Sequence, residues 1–175
     1  MNSLTNDLNN DNELHHLLLE AMNYVQERAR IGSPAHEVEK GLFERMLKLG
    51  YQLFNVFFKA QGDGAVGESL TLSDGKFVKR LDDRKRNYRS LFGNFTLTRA
   101  VYGQRYGQSI SFVPLDTRLQ LPEEEYSYPL QEMTLHLTTE VSYTTAQELL
   151  KKLLKFNVTV DSLSLIRISE PTRRR

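Results

Sequence analysis

The sequence predicts an α+β fold: an N-terminal helical pair, a small antiparallel β-hairpin region, and a C-terminal helix-turn-helix truncated in its second helix. Three observations carry this expectation. Apolar residues recur every three or four positions from residue 11 to about residue 60, as on the buried stripe of a helix. Around Gly93-Asn94 the pattern changes to apolar-polar alternation, the period of a strand. After Pro122 the helical spacing returns.

Taken in order, residues 1–10 are rich in Asn and are expected to be disordered. Residues 11–61 form the helical pair. Its first helix rests on Leu14, Leu17, Leu18, Met22 and Val25. Gly32, Ser33 and Pro34 then punctuate, with Ser33 suited to an N-cap and Pro34 to the first helical position. The second helix runs to about Ala60 on Val38, Leu42, Met46, Leu49, Leu53, Phe54 and Phe57. A short turn between two helices implies an antiparallel pair or a dimerising one.

Residues 62–121 hold a glycine loop, a basic segment and the β-hairpin region. Gly93-Asn94 is the expected two-residue turn, with glycine first as a type II′ turn prefers. After it Phe95, Leu97 and Val101 share one face, and Thr96, Thr98 and Ala100 the other. The run SISFVPLDTRLQLP reads as a strand and then a loop. Residues 122–163 are the helical region. Pro122 and Glu123–Glu125 suit a helix start, and Pro129 delays or kinks it. Leu149, Leu150, Leu153 and Leu154 give a short helix its apolar side. Asn157 is a turn residue, and Thr159 or Asp161 caps a following helix, which completes the helix-turn-helix outline.

Composition narrows the function. The formal net charge is +1 in 175 residues, so any attraction to nucleic acid must come from a local patch. Cys is absent, which removes disulfides, thiolate metal sites and thiol nucleophiles. The sequence has no apolar run of membrane-spanning length, and its polar N-terminus does not resemble a secretory signal. A cytoplasmic location, no membrane partner and no small-molecule substrate are expected.

GDGAVG at Gly62–Gly67 has the spacing of a dinucleotide fingerprint, but it follows a helix and precedes a strand-like run. A phosphate cradle needs the reverse order, so a helix-ending loop is the better reading. Glu123, Glu124 and Glu125 are consecutive and point apart on a helix, and His15 and His16 are adjacent. Neither set has ligand spacing, so no metal, cofactor or catalytic residue is assigned.

The segment KFVKRLDDRKRNYR is the stronger signal. Lys76, Lys79, Arg80, Arg84, Lys85, Arg86 and Arg89 fall within it, against Asp82 and Asp83. Such a cluster can neutralise DNA phosphates, with Tyr88 stacking or bonding a phosphate. The competing reading is a solvated loop before a hairpin. Arg99 and Arg105, on or near the hairpin, would assist. Thr144, Thr145, Thr159 and Ser162 lie in the segment expected to form the helix-turn-helix reader.

Four segments together resemble one family: QGDGAVG, RSLFGNFTLTRAVYGQRYGQ, VPLDTRLQLPEEEYSYPLQEM and LLKKLLKFNVTVDSL. From about Val38 to Leu163 the sequence is similar to the N-terminal part of ISKra-family insertion-sequence transposases, bacterial enzymes of the DDE class. The resemblance implies a region that holds transposon-end DNA and assembles the complex. It places catalysis in a separate RNase H-like domain, whose acidic residues bind two divalent metal ions, expected to be magnesium. No residue of this sequence inherits a catalytic role. The expected partners are transposon terminal repeats and a second copy of the chain. A truncated DNA-binding regulator of transposition and a pure oligomerisation module are the alternatives.

The resemblance ends near Leu163. Residues 164–175 resemble translated sequencing adapter and are expected to be non-native. They carry four Arg and one Glu, and without them the formal net charge falls from +1 to −2.

Overall fold

The computed structural model describes Asn2–Gln104 and Ile110–Lys155, with side chains from Asn12 onward. Its described residues form an α+β fold, as expected, in two compact units divided at Ala60–Gln61.

The first unit is a helical hairpin of α1 (Asn2–Arg30) and α2 (Ala35–Gln61, its last residue just past the division). Its register is antiparallel. Tyr24 Oη donates to the Glu37 carbonyl at 3.1 Å, Arg45 reaches Glu20 at 3.6 Å, and Gln52 donates to Glu13 at 2.7 Å. The Arg45 guanidinium stacks 3.7 Å over the Tyr24 ring, a cation–π contact. Gly41 makes room for that ring, since a Cβ there would lie 2.0 Å from Tyr24 Oη. Helix α1 starts at Asn2, where composition suggests disorder to residue 10. Extending a formed helix costs far less than nucleating one, so weak helix formers follow the leucine-rich turns. Helix α2 starts at Ala35, and the Pro34 carbonyl accepts from Glu37 and Val38 N–H. Pro34 therefore precedes the helix rather than opening it.

The second unit contains both sheets. Strands β1 (Ser69–Thr71), β2 (Phe77–Arg80), β5 (Tyr102–Gly103) and β6 (Ile110–Phe112) form an antiparallel sheet in the order β1-β2-β5-β6. Val78, Ala100 and Tyr102 are its buried core, with Leu70, Leu72 and Phe112 packed around them. Strands β3 (Arg84–Ser90) and β4 (Gly93–Arg99) form a separate two-stranded ribbon. The β1–β2 hairpin is new relative to the sequence reading. Its signal was Asp74-Gly75: Gly75 sits at φ +81°, and Asp74 Oδ1 accepts from Lys76 N–H at 3.0 Å.

Three local expectations change. The ribbon turns at Leu91-Phe92, not at Gly93-Asn94, because Ser90 pairs with Gly93. Ser90 Oγ accepts from Phe92 N–H at 3.1 Å, which holds the earlier turn, and Gly93 supplies the φ of +139° that follows it. Ala100 is buried beside Val101, not outward with Thr96 and Thr98, because β4 ends at Arg99. The expected loop after β6 is a short helix, α3 (Pro114–Leu119), opened by proline.

Two longer helices close the described chain. Helix α4 (Tyr128–Glu140) starts at Tyr128, with Pro129 in its first turn, not at Pro122. Ser127 Oγ caps it by accepting from Leu130 N–H at 3.3 Å. Helix α5 (Tyr143–Leu154) is capped by Ser142, which accepts from Thr145 N–H at 3.2 Å. Leu130, Ala146, Leu150 and Tyr126 form the core between them. The turn between α4 and α5 is Val141-Ser142. The turn at Asn157 and the second helix of the outline lie outside the described residues.

Candidate nucleic-acid interface

Strand parity sorts the basic segment. In β3 the core face carries Arg86, Tyr88 and Ser90, opposite Leu97, Phe95 and Gly93 of β4. The other face carries Lys85, Asn87 and Arg89, opposite Thr98, Thr96 and Asn94. Lys85, Asn87, Asn94, Thr96 and Thr98 are exposed.

Four of the expected DNA-binding arginines are tied into the protein instead. Arg86 reaches Asp116 at 2.9 Å and donates to the carbonyls of Pro122, Glu123 and Glu124, the last two at 3.2 and 2.6 Å. Arg99 pairs with the same Asp116 oxygen. The side chains of Arg86 and Arg99 are each only 13% exposed. Arg80 bridges Asp63 and Asp83, each at 3.0 Å, and Asp83 first, then Asp63, hold its pKa above the usual value. Arg89 reaches Glu125 at 3.1 Å and lies over the Tyr126 ring at 5.5 Å. Each of these guanidiniums is held by a carboxylate of its own fold. These four were expected at the DNA surface; here Arg86 and Arg99 are largely buried, and Arg80 and Arg89 are partly exposed and ion-paired. Tyr88 also leaves the surface: it is buried, its hydroxyl shares a hydrogen bond with the Ser127 side chain, and burial raises its pKa.

Lys76 is exposed and paired with Asp74 at 2.8 Å. That bond raises the pKa of Lys76 and lowers that of Asp74. Lys79, Arg84 and Lys85 are exposed and hold no ion pair among the described residues. Thr144 and Thr145 are exposed on the first turn of α5, where the Thr145 hydroxyl meets Ser142 Oγ at 2.9 Å. Arg105, Thr159 and Ser162 lie outside the described residues.

The glycine loop serves the β-sheet. Tyr102 Oη accepts from Val66 N–H at 3.0 Å and donates to the Gly67 carbonyl at 2.7 Å. Asp63 accepts from Ala65 N–H and from Arg80, and its carbonyl accepts from Ala100 N–H. At Gly64, φ is +77° and a Cβ would lie 2.8 Å from Leu115 Cβ. The loop's polar groups thus face its own fold. Among the described residues no three His, Asp or Glu side chains are grouped to hold a metal ion. No described helix is long and apolar enough to cross a membrane.

Sequence reasoning missed Asn87 and Asn94 as members of the ribbon's outer face. Their signal was parity with Thr96 and Thr98, available once Phe95 and Leu97 face inward. No family model matches this chain, and neither a curated protein nor a solved structure matches it.

Proposed function

We propose that this chain is the DNA-binding part of an insertion-sequence transposase of the ISKra type. Its contact surface is the outer face of the β3–β4 ribbon, which carries Lys85, together with the exposed Arg84 at the start of β3 and Lys79 on β2, the three cations meeting phosphates. The observation that carries this reading is that these three cations are exposed and unpaired among the described residues. Beside Lys85 lies a row of neutral hydrogen-bonding side chains, Asn87, Asn94, Thr96 and Thr98. Two-stranded ribbons enter DNA grooves, cations there fix position, and amide and hydroxyl groups meet base edges or phosphates. The reading gives the chain binding and assembly roles in DNA transposition in the cytoplasm. It assigns no catalytic residue, and it leaves strand transfer to a magnesium-dependent domain.

The test is fluorescence anisotropy of the full chain with duplexes carrying transposon terminal repeats, at about 50 to 200 mM salt. Three phosphate contacts give a slope of log K against log salt of about −3. The triple variant Lys79→Ala, Arg84→Ala, Lys85→Ala should flatten that slope to near zero while keeping the fold. Tight binding with an unchanged slope in the variant would remove this surface from the reading.

A further inference from the structure

The α1–α2 hairpin covers one stripe of each helix and leaves another open. The covered stripe of α1 follows Leu14, Leu17, Ala21, Tyr24 and Arg28. One residue further along from Leu17, Ala21 and Tyr24 stand Leu18, Met22 and Val25, all exposed. In α2 the covered stripe includes Leu42, Arg45, Leu49, Gln52 and Val56. One residue further along stand Phe43, Met46, Leu53 and Phe57, again all exposed. Both open stripes keep the alternating three- and four-residue spacing of a bundle seam, with Gly50 at the α2 position between Met46 and Leu53.

A step of one residue turns the side chain by about 100° around the helix. Because the helices run antiparallel, equal steps in each chain direction bring both open stripes to the same side of the hairpin. Tyr24 lies level with Gly41 and Glu20 with Arg45, which places Met22 level with Phe43 and Leu19 level with Met46. The result is one continuous apolar face, not two scattered edges.

We propose that this face pairs with the same face of a second copy, closing a four-helix bundle. Its area suits that occupant. With Leu19, the eight large side chains are each between 38% and 51% exposed. At roughly 200 Å² for a fully open large side chain, they present about 700 Å² per copy and about 1,400 Å² for a pair. Stable interfaces bury about 1,200–2,000 Å² in total. Between Leu18 and Val25, and between Phe43 and Phe57, the two open stripes carry no acidic, Lys or Arg side chain, and the first charge on the α2 stripe is Glu39 at its N-terminal end. The hairpin also needs a partner: among its described residues only Ala21 and Phe58 are buried. The proposal does not depend on the DNA reading.

Sedimentation velocity of the full chain from about 1 to 100 μM tests it, in the range where weak and tight dimers separate. The wild-type chain should sediment at twice its 20.3 kDa mass. The variant Met22→Glu, Met46→Glu should sediment as a monomer with unchanged helical circular dichroism. A wild-type monomer throughout, or a dimer indifferent to both substitutions, overturns the proposal. A monomer is also what coverage of this face by the chain's own remaining residues would give. If the double variant loses helicity, a spin label on Met22→Cys decides. The chain has no other cysteine. Strong coupling between labels supports the bundle, and its absence overturns it.

Discussion

Arg84 and Arg86 stand two residues apart on β3 and have opposite roles. Arg84 projects into solvent, while Arg86 holds Asp116 and three successive backbone carbonyls. Arg86→Ala leaves a largely buried carboxylate and those carbonyls short of a donor, and should cost about 3 kcal/mol. Arg84→Ala should change stability by less than about 0.5 kcal/mol. Urea denaturation of both variants checks the contrast. Tyr88 supplies a pH-dependent counterpart. Burial raises its pKa from the ordinary 10.0, so its contribution is complete below that value and is lost as pH rises through the folded pKa. Alkaline unfolding should therefore shift in Tyr88→Phe, which cannot ionise, towards higher pH. A titration followed by circular dichroism reads this directly. None of these roles was legible in KRLDDRKRNYR. Both faces of β3 are polar, so alternation leaves its parity unfixed, and Asp116 lies thirty residues away in sequence.

At the scale of elements, the sequence showed which segments are helix and strand more clearly than where they start. The period of α1, α2 and α5 was legible because their apolar residues are large and regularly spaced. The ribbon's turn was not, because Gly93 satisfies two readings. It can open a type II′ turn or follow a turn of the ordinary hand, and the Ser90 hydroxyl bonding Phe92 N–H selects the second. Gly93→Ala should cost about 1–3 kcal/mol for its φ of +139°, measured by thermal unfolding. The β1–β2 hairpin was hidden by its length, since β1 has only three residues. Pro114 likewise opens a helix too short to show a period. Helix α5 depends on its cap as well as its core. Ser142→Ala should cost about 1 kcal/mol, and Leu150→Ala, at a fully buried site, about 2–5 kcal/mol. Both are measurable by urea titration at the same wavelength.

At the scale of the whole molecule, the division near residue 60 was legible from the glycines that end α2. The chain divides into two compact units, and the hairpin unit buries far fewer side chains than the other, so heat should melt them in two steps. If the hairpin pairs with a second copy, its step alone rises with protein concentration, because association adds stability by mass action. Calorimetry at two concentrations separates the steps. One modest feature reaches further than its size. The N–H and carbonyl of Arg89 bond Glu125 and Ser127 at 2.7 and 2.8 Å, so a passing stretch of chain lies along the outer edge of β3. An uncovered strand edge invites strands from other molecules. Glu125, Tyr126 and Ser127 therefore cap that edge at Arg89, where a strand from another molecule would otherwise pair.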